Sequence, residues 1–288
     1  MVRAPNIVGD VWFNTGSLTA VDLRGKIVLY DFWTYSCVNC QRTLPYLKAW
    51  WESYKNKNFL LIGIHTPEFE FEKDLKNVEK AIKDLGVTWP VVLDNDYVNW
   101  NAFANHYWPA KYLADRDGKI VYTHFGEGVY AETEKKIRGL LGLEDLKDVS
   151  KEAQEEHSHG NVCFIPTPET YCGYGRGNPI KGGTPSKDGD IGLRGEWLVE
   201  KEYVESQSPG AQLLLRFHAT EVNLVLHPVG EKAIIEASFN GQSKEVRITN
   251  PTIYNLLRSK ELMDGILVIT AKEGSFRAYA FTFSGCEH

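Results

Sequence analysis

Long apolar runs are missing from this sequence. No window approaches eighteen consecutive apolar residues, roughly the length a helix needs to cross a bilayer. The opening MVRAPNIVGDVWF lacks the charged-then-apolar order of a secretory signal. The chain as given is therefore expected to be soluble, with a removed signal or membrane segment left open. An excess of positive charge is missing too: 32 basic residues stand against 38 acidic ones, a formal net charge of −6. That balance argues against holding nucleic acid through phosphate contacts and reads as a solubility feature. Cysteine is sparse. The five residues Cys37, Cys40, Cys163, Cys172 and Cys286 are too few for a disulfide scaffold, and their odd number leaves at least one thiol unpaired within a single chain.

What is present is enough apolar residue, 43% of 288, to build two cores. From Lys26 to about Gly142 buried apolar runs alternate with helical ones, the pattern of an α/β layer structure. KIVLYDFW and FLLIGIHT are too continuous for half-exposed strands and belong inside a sheet. Leu44, Leu47, Trp51 and Tyr54 mark one helix face. Phe71, Leu75, Val78, Ile82 and Leu85 mark another, where Glu72 with Lys76 and Glu79 with Lys83 read as a solvated charged side. AKYLADRDGKIVYTHF reads as two strands turning at Asp117-Gly118. Residues 1–145 thus form one domain and residues 146–190, rich in Gly, Pro, Ser and Thr, a linker or irregular excursion. Residues 191–288 carry many short strands, with Asn240-Gly241 as a hairpin turn, and read as a β-sandwich.

The chemistry concentrates in DFWTYSCVNC, residues 31–40. Two cysteines spaced CxxC at a helix start face the same way, and the helix N-terminus favours a thiolate on the first. Cys37 is the expected nucleophile and Cys40 the resolving thiol. A zinc site would need about four ligands, and no second CxxC supplies them. A structural bridge over so short a loop would restrain little of the unfolded chain. Thr34 lies three residues before Cys37 as in the peroxiredoxin pattern PxxxTxxC, but Tyr30 occupies the proline position.

Asp31 interrupts a buried strand, where an ionised, unpaired carboxylate would cost several kcal/mol, so it needs a raised pKa or a partner. Six residues before Cys37, it is placed to take the Cys40 proton; the competing reading is an acid that only hydrogen-bonds nearby backbone. Trp108-Pro109 precedes the strand AKYLAD. A proline there is either an edge feature or a cis residue that holds a backbone edge open beside a thiol. His65 and Glu68, after a strand, read by default as surface residues of an inserted segment.

Strand, DFW, CxxC, a helix containing Pro45 and a later proline before a hairpin together resemble the thioredoxin fold. In that resemblance Asp31 stands for the buried acid, Cys37 and Cys40 for the redox pair and Pro109 for the cis-proline. The runs FWTYSCVNCQRTLPYLKAW, HTPEFEFEKD, YWPAKYLADRDGKIVYTHFGEG, PTPETYCGYGRG and LRGEWLVEKEYVES resemble more narrowly the TlpA-like thioredoxins of DipZ-type proteins of cytochrome c biogenesis and thiol:disulfide interchange. Those proteins join a membrane-embedded electron-transferring domain to an extracytoplasmic thioredoxin-like domain and a carbohydrate-binding-module-like, jelly-roll type β-sandwich. The resemblance implies a location outside the cytoplasm, protein disulfides as substrates and a membrane-embedded electron donor. It implies no cofactor beyond the Cys37-Cys40 disulfide itself. For the sandwich it admits a glycan, with Trp197, Tyr203 and Tyr254 as a stacking platform, although aromatic residues on strands are more often core. The expected function is a thiol:disulfide oxidoreductase, with a thiol peroxidase and a non-enzymatic glycan- or protein-binding module as alternatives; no metal site and no nucleic acid are expected.

Overall fold

Residues 2–144, 147–156 and 164–285 are described by the computed structural model, in two compact units that divide between residues 157 and 158. The first unit runs β1 (Trp12–Phe13), α1 (Ala20–Leu23), β2 (Ile27–Trp33), α2 (Val38–Tyr54), β3 (Phe59–His65), a 3₁₀ turn (Glu70–Lys73) and α3 (Leu75–Asp84). It continues through β4 (Val91–Leu93), α4 (Val98–Ala102), β5 (Ala110–Ala114), β6 (Ile120–Phe125), α5 (Tyr130–Leu141) and α6 (Val149–Glu156). Its sheet has the order β1-β4-β3-β2-β5-β6, with β2, β3 and β4 parallel and β5, β6 and β1 antiparallel to their neighbours.

Every residue of β2 is buried because both faces of the sheet are covered, which explains the continuous apolar run. Ile27, Leu29 and Trp33 point into a cluster with Leu44, Leu47, Trp50 and Tyr54 of α2 and Ile137 of α5. Val28, Tyr30 and Phe32 point to the other side, against Phe103 and Tyr112. The alternation puts Asp31 on the α2 side, facing the helix that carries the cysteines.

One element starts later than its periodicity predicts. The helix anticipated from Phe71 begins at Leu75, because the Asp74 side chain caps it by accepting the N–H groups of Lys76 and Asn77 at 2.9 and 3.1 Å. Leu75 is consequently exposed while Val78 and Ile82 are buried. Glu72 falls in the preceding 3₁₀ turn and is fully buried, so it does not share a solvated helix face with Lys76.

The second unit is all β: β7 (Thr170–Tyr171), β8 (Ile180–Lys181), β9 (Ile191–Arg194), β10 (Trp197–Val199), β11 (Val204–Ser206), β12 (Gln212–Phe239), β13 (Gln242–Ile248) and β14 (Thr252–Ser284). The two long strands pair antiparallel along most of their length, with register shifts between Ala219 and Leu226 and between Val229 and Ile235. These bends divide each strand into segments. Residues 212–219 and 234–238 of β12 both pair with residues 263–273 of β14, whereas residues 221–229 of β12 pair with 252–258 on one side and 275–284 on the other. Alternate residues of both groups, among them Leu213, Leu215, Leu224, Leu226, Ile235, Ile269 and Phe281, enter one buried cluster. Two antiparallel layers therefore face each other as a sandwich. Asn240 and Gly241 both have positive φ, 47° and 78°, and join β12 to β13 in the tight hairpin that the Asn-Gly pair predicts. Part of the Gly- and Pro-rich stretch also contributes, with β7 pairing to β14 and β8 to β9.

Candidate active site

β2 delivers the chain into a turn, Thr34 to Cys37, and α2 begins immediately after it. Cys37 is the N-cap of α2 in extended conformation, φ −79° and ψ 119°. Its Sγ accepts the Cys40 backbone N–H at 3.2 Å, so the sulfur occupies the place of a capping oxygen among the unpaired amides of the first turn. Cys37 is half-buried and Cys40 is buried, both as free thiols. Burial, and then the neighbouring Cys37 sulfur, holds the Cys40 thiol well above the ordinary range. One thiol is open to a substrate and the other is shielded and protonated.

Asp31 lies behind Cys40. It is 2% exposed, and in the antiparallel register of β2 with β5 its direct partner is Lys111, itself 0% exposed. Directly opposed residues on one face of such a pair are neighbours, and Lys111 Nζ stands 3.7 Å from Asp31 Oδ1. That is an ion pair too long for a hydrogen bond, and both atoms are buried without a hydrogen-bond partner. Burial pushes the Asp31 carboxyl up to about 6, with the Lys111 charge opposing. Burial likewise lowers the Lys111 ammonium, which feels the charges of Asp31, Cys40 and Cys37 in turn. Burial thus shifts both members of the pair towards their neutral forms.

The Trp108-Pro109 bond is cis. Ala110 pairs with Phe32, and the same register carried one residue further sets Pro109 beside Trp33, at the end of the sheet where the cysteine turn lies. Pro109 is buried and its carbonyl accepts the Gly126 N–H at 2.8 Å. Trp108 donates Nε1–H to the Thr66 carbonyl at 3.0 Å and packs on Trp100 with ring centroids 4.1 Å apart. Exposed Tyr107 and Phe125 stack obliquely at 5.2 Å on the same side.

The opposite flank of the turn is polar and closed. His65, read by default as a surface residue, is 0% exposed: it is the last residue of a strand covered on both faces, and its ring stacks on Tyr35. Burial lowers its pKa to about 3, so it is neutral, and Nε2 lies 3.4 Å from Thr34 Oγ1. Glu68 is half-buried and gives its backbone N–H to the Glu72 carboxylate.

In the second unit Trp197 is buried and edge-on to Phe276. Tyr254 packs against the same core and donates its hydroxyl to the Asn250 carbonyl. Tyr203 lies between Tyr279 and the Arg277 guanidinium. Trp197 is thus a core residue, and the three aromatics are committed to intramolecular packing. Cys172 is a buried free thiol whose pKa burial raises; Cys163 and Cys286 lie outside the described residues. Among the described residues no group of three or more His, Cys, Asp or Glu side chains could hold a metal ion.

Residues 3–123 match the AhpC/TSA family and residues 167–284 the thioredoxin-like C-terminal domain family. Over 97% of its length the chain is 34% identical to protein DipZ of Mycobacterium tuberculosis (strain CDC 1551 / Oshkosh). The chain spans 42% of the length of that relative. Thiol-disulfide oxidoreductase YkuV of Bacillus subtilis (strain 168) is 27% identical over 48% of this chain and 93% of its own. Among solved structures, the thioredoxin domain of a thiol-disulfide oxidoreductase from Bacteroides vulgatus is 29% identical, covers 47% of this chain and 95% of its own, and superposes with a TM-score of 0.40.

Two residues of this site escape a reading of the sequence by motif. Lys111 sits inside an apolar strand, AKYLA, and the odd placement of its charge was the available signal. Glu72 was hidden by an i,i+4 match to Lys76 that the Asp74 cap cancels.

Proposed function

We propose that the chain is a thiol:disulfide oxidoreductase whose dithiol form reduces disulfides in protein substrates outside the cytoplasm, recharged by a membrane-embedded electron donor. The observation that carries this reading is the shielded Cys40 between an accessible capping sulfur and the buried Asp31–Lys111 pair. Cys37 attacks as the thiolate and forms a mixed disulfide with one substrate sulfur, and the other substrate sulfur leaves as a thiolate that takes up a proton. Cys40 then gives its proton to the Asp31 carboxylate and attacks Cys37 Sγ, breaking the mixed disulfide. The products are a reduced substrate and the Cys37–Cys40 disulfide, two electrons having passed to the substrate. Trp108, fixed in place by Pro109, offers the backbone edge on which an extended substrate segment pairs. No cofactor beyond the cysteine pair enters this scheme.

The test is disulfide reduction in insulin with dithiothreitol as reductant. Cys37→Ser is expected to abolish turnover, and Cys40→Ser to accumulate a mixed disulfide visible by mass spectrometry. Full activity in Cys37→Ser would overturn the reading. The AhpC/TSA match and Thr34 favour a second reading, a thiol peroxidase. Under that reading hydrogen peroxide would be consumed in a Cys37-dependent manner faster than insulin is reduced.

A further inference from the structure

Glu72 is 0% exposed, and its partners are N–H and O–H donors rather than a cation. Oε1 accepts the Ser36 hydroxyl at 2.5 Å and the Ser36 backbone N–H at 3.4 Å. Oε2 accepts the backbone N–H groups of Glu68 and Phe69 at 2.6 and 3.0 Å. Ser36 adjoins Cys37. The Cys37 N–H is in turn donated to the Thr34 carbonyl at 3.4 Å. One carboxylate therefore grips the residue that adjoins Cys37 and ties it to the segment following β3.

Donors converging on two oxygens match an ionised carboxylate, which only accepts. A glutamine would turn an NH₂ towards one set of donors, and a protonated acid would spend one oxygen on its own hydrogen. Either change leaves a buried donor unsatisfied.

We propose that Glu72 is the positioning residue of the redox turn, its ionised carboxylate holding Ser36 so that the Cys37 sulfur stays in the N-cap position, and releasing it on protonation. This rests on the reading of Cys37 as a reactive redox thiol. Burial raises the Glu72 carboxyl to about 7, with the Ser36 hydrogen bond opposing and the Glu68 charge adding to the rise. The other groups facing the cluster are His65, neutral behind Thr34, and the Asp31–Lys111 pair beyond Cys40. The release accordingly falls near neutral pH, and the Asp31→Asn variant separates it from the Asp31 titration.

The test is the rate of Cys37 alkylation by iodoacetamide in the full chain carrying Cys40→Ser, from about pH 5.5 to 8.5, compared across added variants. Glu72→Gln is expected to slow alkylation roughly tenfold above about pH 8, and to match its parent within about twofold below about pH 6, where Glu72 is already protonated. Ser36→Ala keeps the charge and cuts the link, and should show the same pH-confined loss to a smaller degree; it answers the question if Glu72→Gln fails to fold. Asp31→Asn should leave this difference in place. A pH-independent ratio, no difference in either variant, or faster alkylation in Glu72→Gln, which would mark simple charge repulsion, overturns the proposal. Because alkylation needs no disulfide substrate, its outcome stands apart from whether insulin is reduced.

Discussion

Lys111 and Asp31 illustrate how much a single register decides. Raising a carboxyl from 3.8 to about 6 means that its neutral form favours the fold. That contribution is full below about pH 4 and lost as pH rises through about 6, on the order of 3 kcal/mol. The proton acceptor needed by Cys40 is the ionised form, so resolution of the mixed disulfide should quicken over the same interval in which stability falls. Asp31→Leu leaves a buried ammonium alone and is expected to destabilise by about 3–5 kcal/mol, whereas Asp31→Leu with Lys111→Met should be neutral to about 4 kcal/mol more stable. Both variants should turn over slowly. Urea unfolding near neutral pH with insulin reduction in parallel checks this, and a double variant less stable than the single one would remove the pair from this account.

At the scale of elements, β2 and α2 were legible from their residues because each carries its own instruction: a fully apolar strand, then a 3,4 spacing behind a CxxC turn. The cis bond before β5 was not legible, since one proline is compatible with an edge feature or a cis turn. The start of α3 was misread because apolar spacing continues back through Phe71 while Asp74, three residues further on, caps the helix. Asp74→Ala is expected to cost about 1 kcal/mol, seen as a lower urea midpoint with unchanged slope. An unchanged midpoint would mean that packing of Val78 and Ile82 alone sets that helix start. Glu72 and Lys111 were invisible for a related reason: their meaning comes from partners 36 and 80 residues away, which no local pattern encodes.

Across the whole molecule, each unit has its own buried clusters, one built from Leu29, Leu47 and Ile137 and the other from Leu213, Leu224 and Ile269. Cys37, Cys40, Asp31, Lys111, Pro109 and Glu72 all belong to the first. Residues 1–157 expressed alone are expected to unfold cooperatively and to reduce insulin within about twofold of the full chain. A truncated unit that folds but has lost turnover would show that the sandwich takes part in the chemistry. No described helix is long and apolar enough to cross a membrane.

In the proposed cycle the contrast between a half-buried Cys37 and a buried Cys40 also governs time. Once a substrate is tethered to Cys37, the thiol that frees it is already fixed one helical turn away, at an effective concentration far above that of any thiol in solution. The lifetime of the tethered species is then a property of the chain and of its proton traffic. A crowded or dilute pool of external thiols changes how often the cycle restarts, and leaves the duration of each encounter as it was.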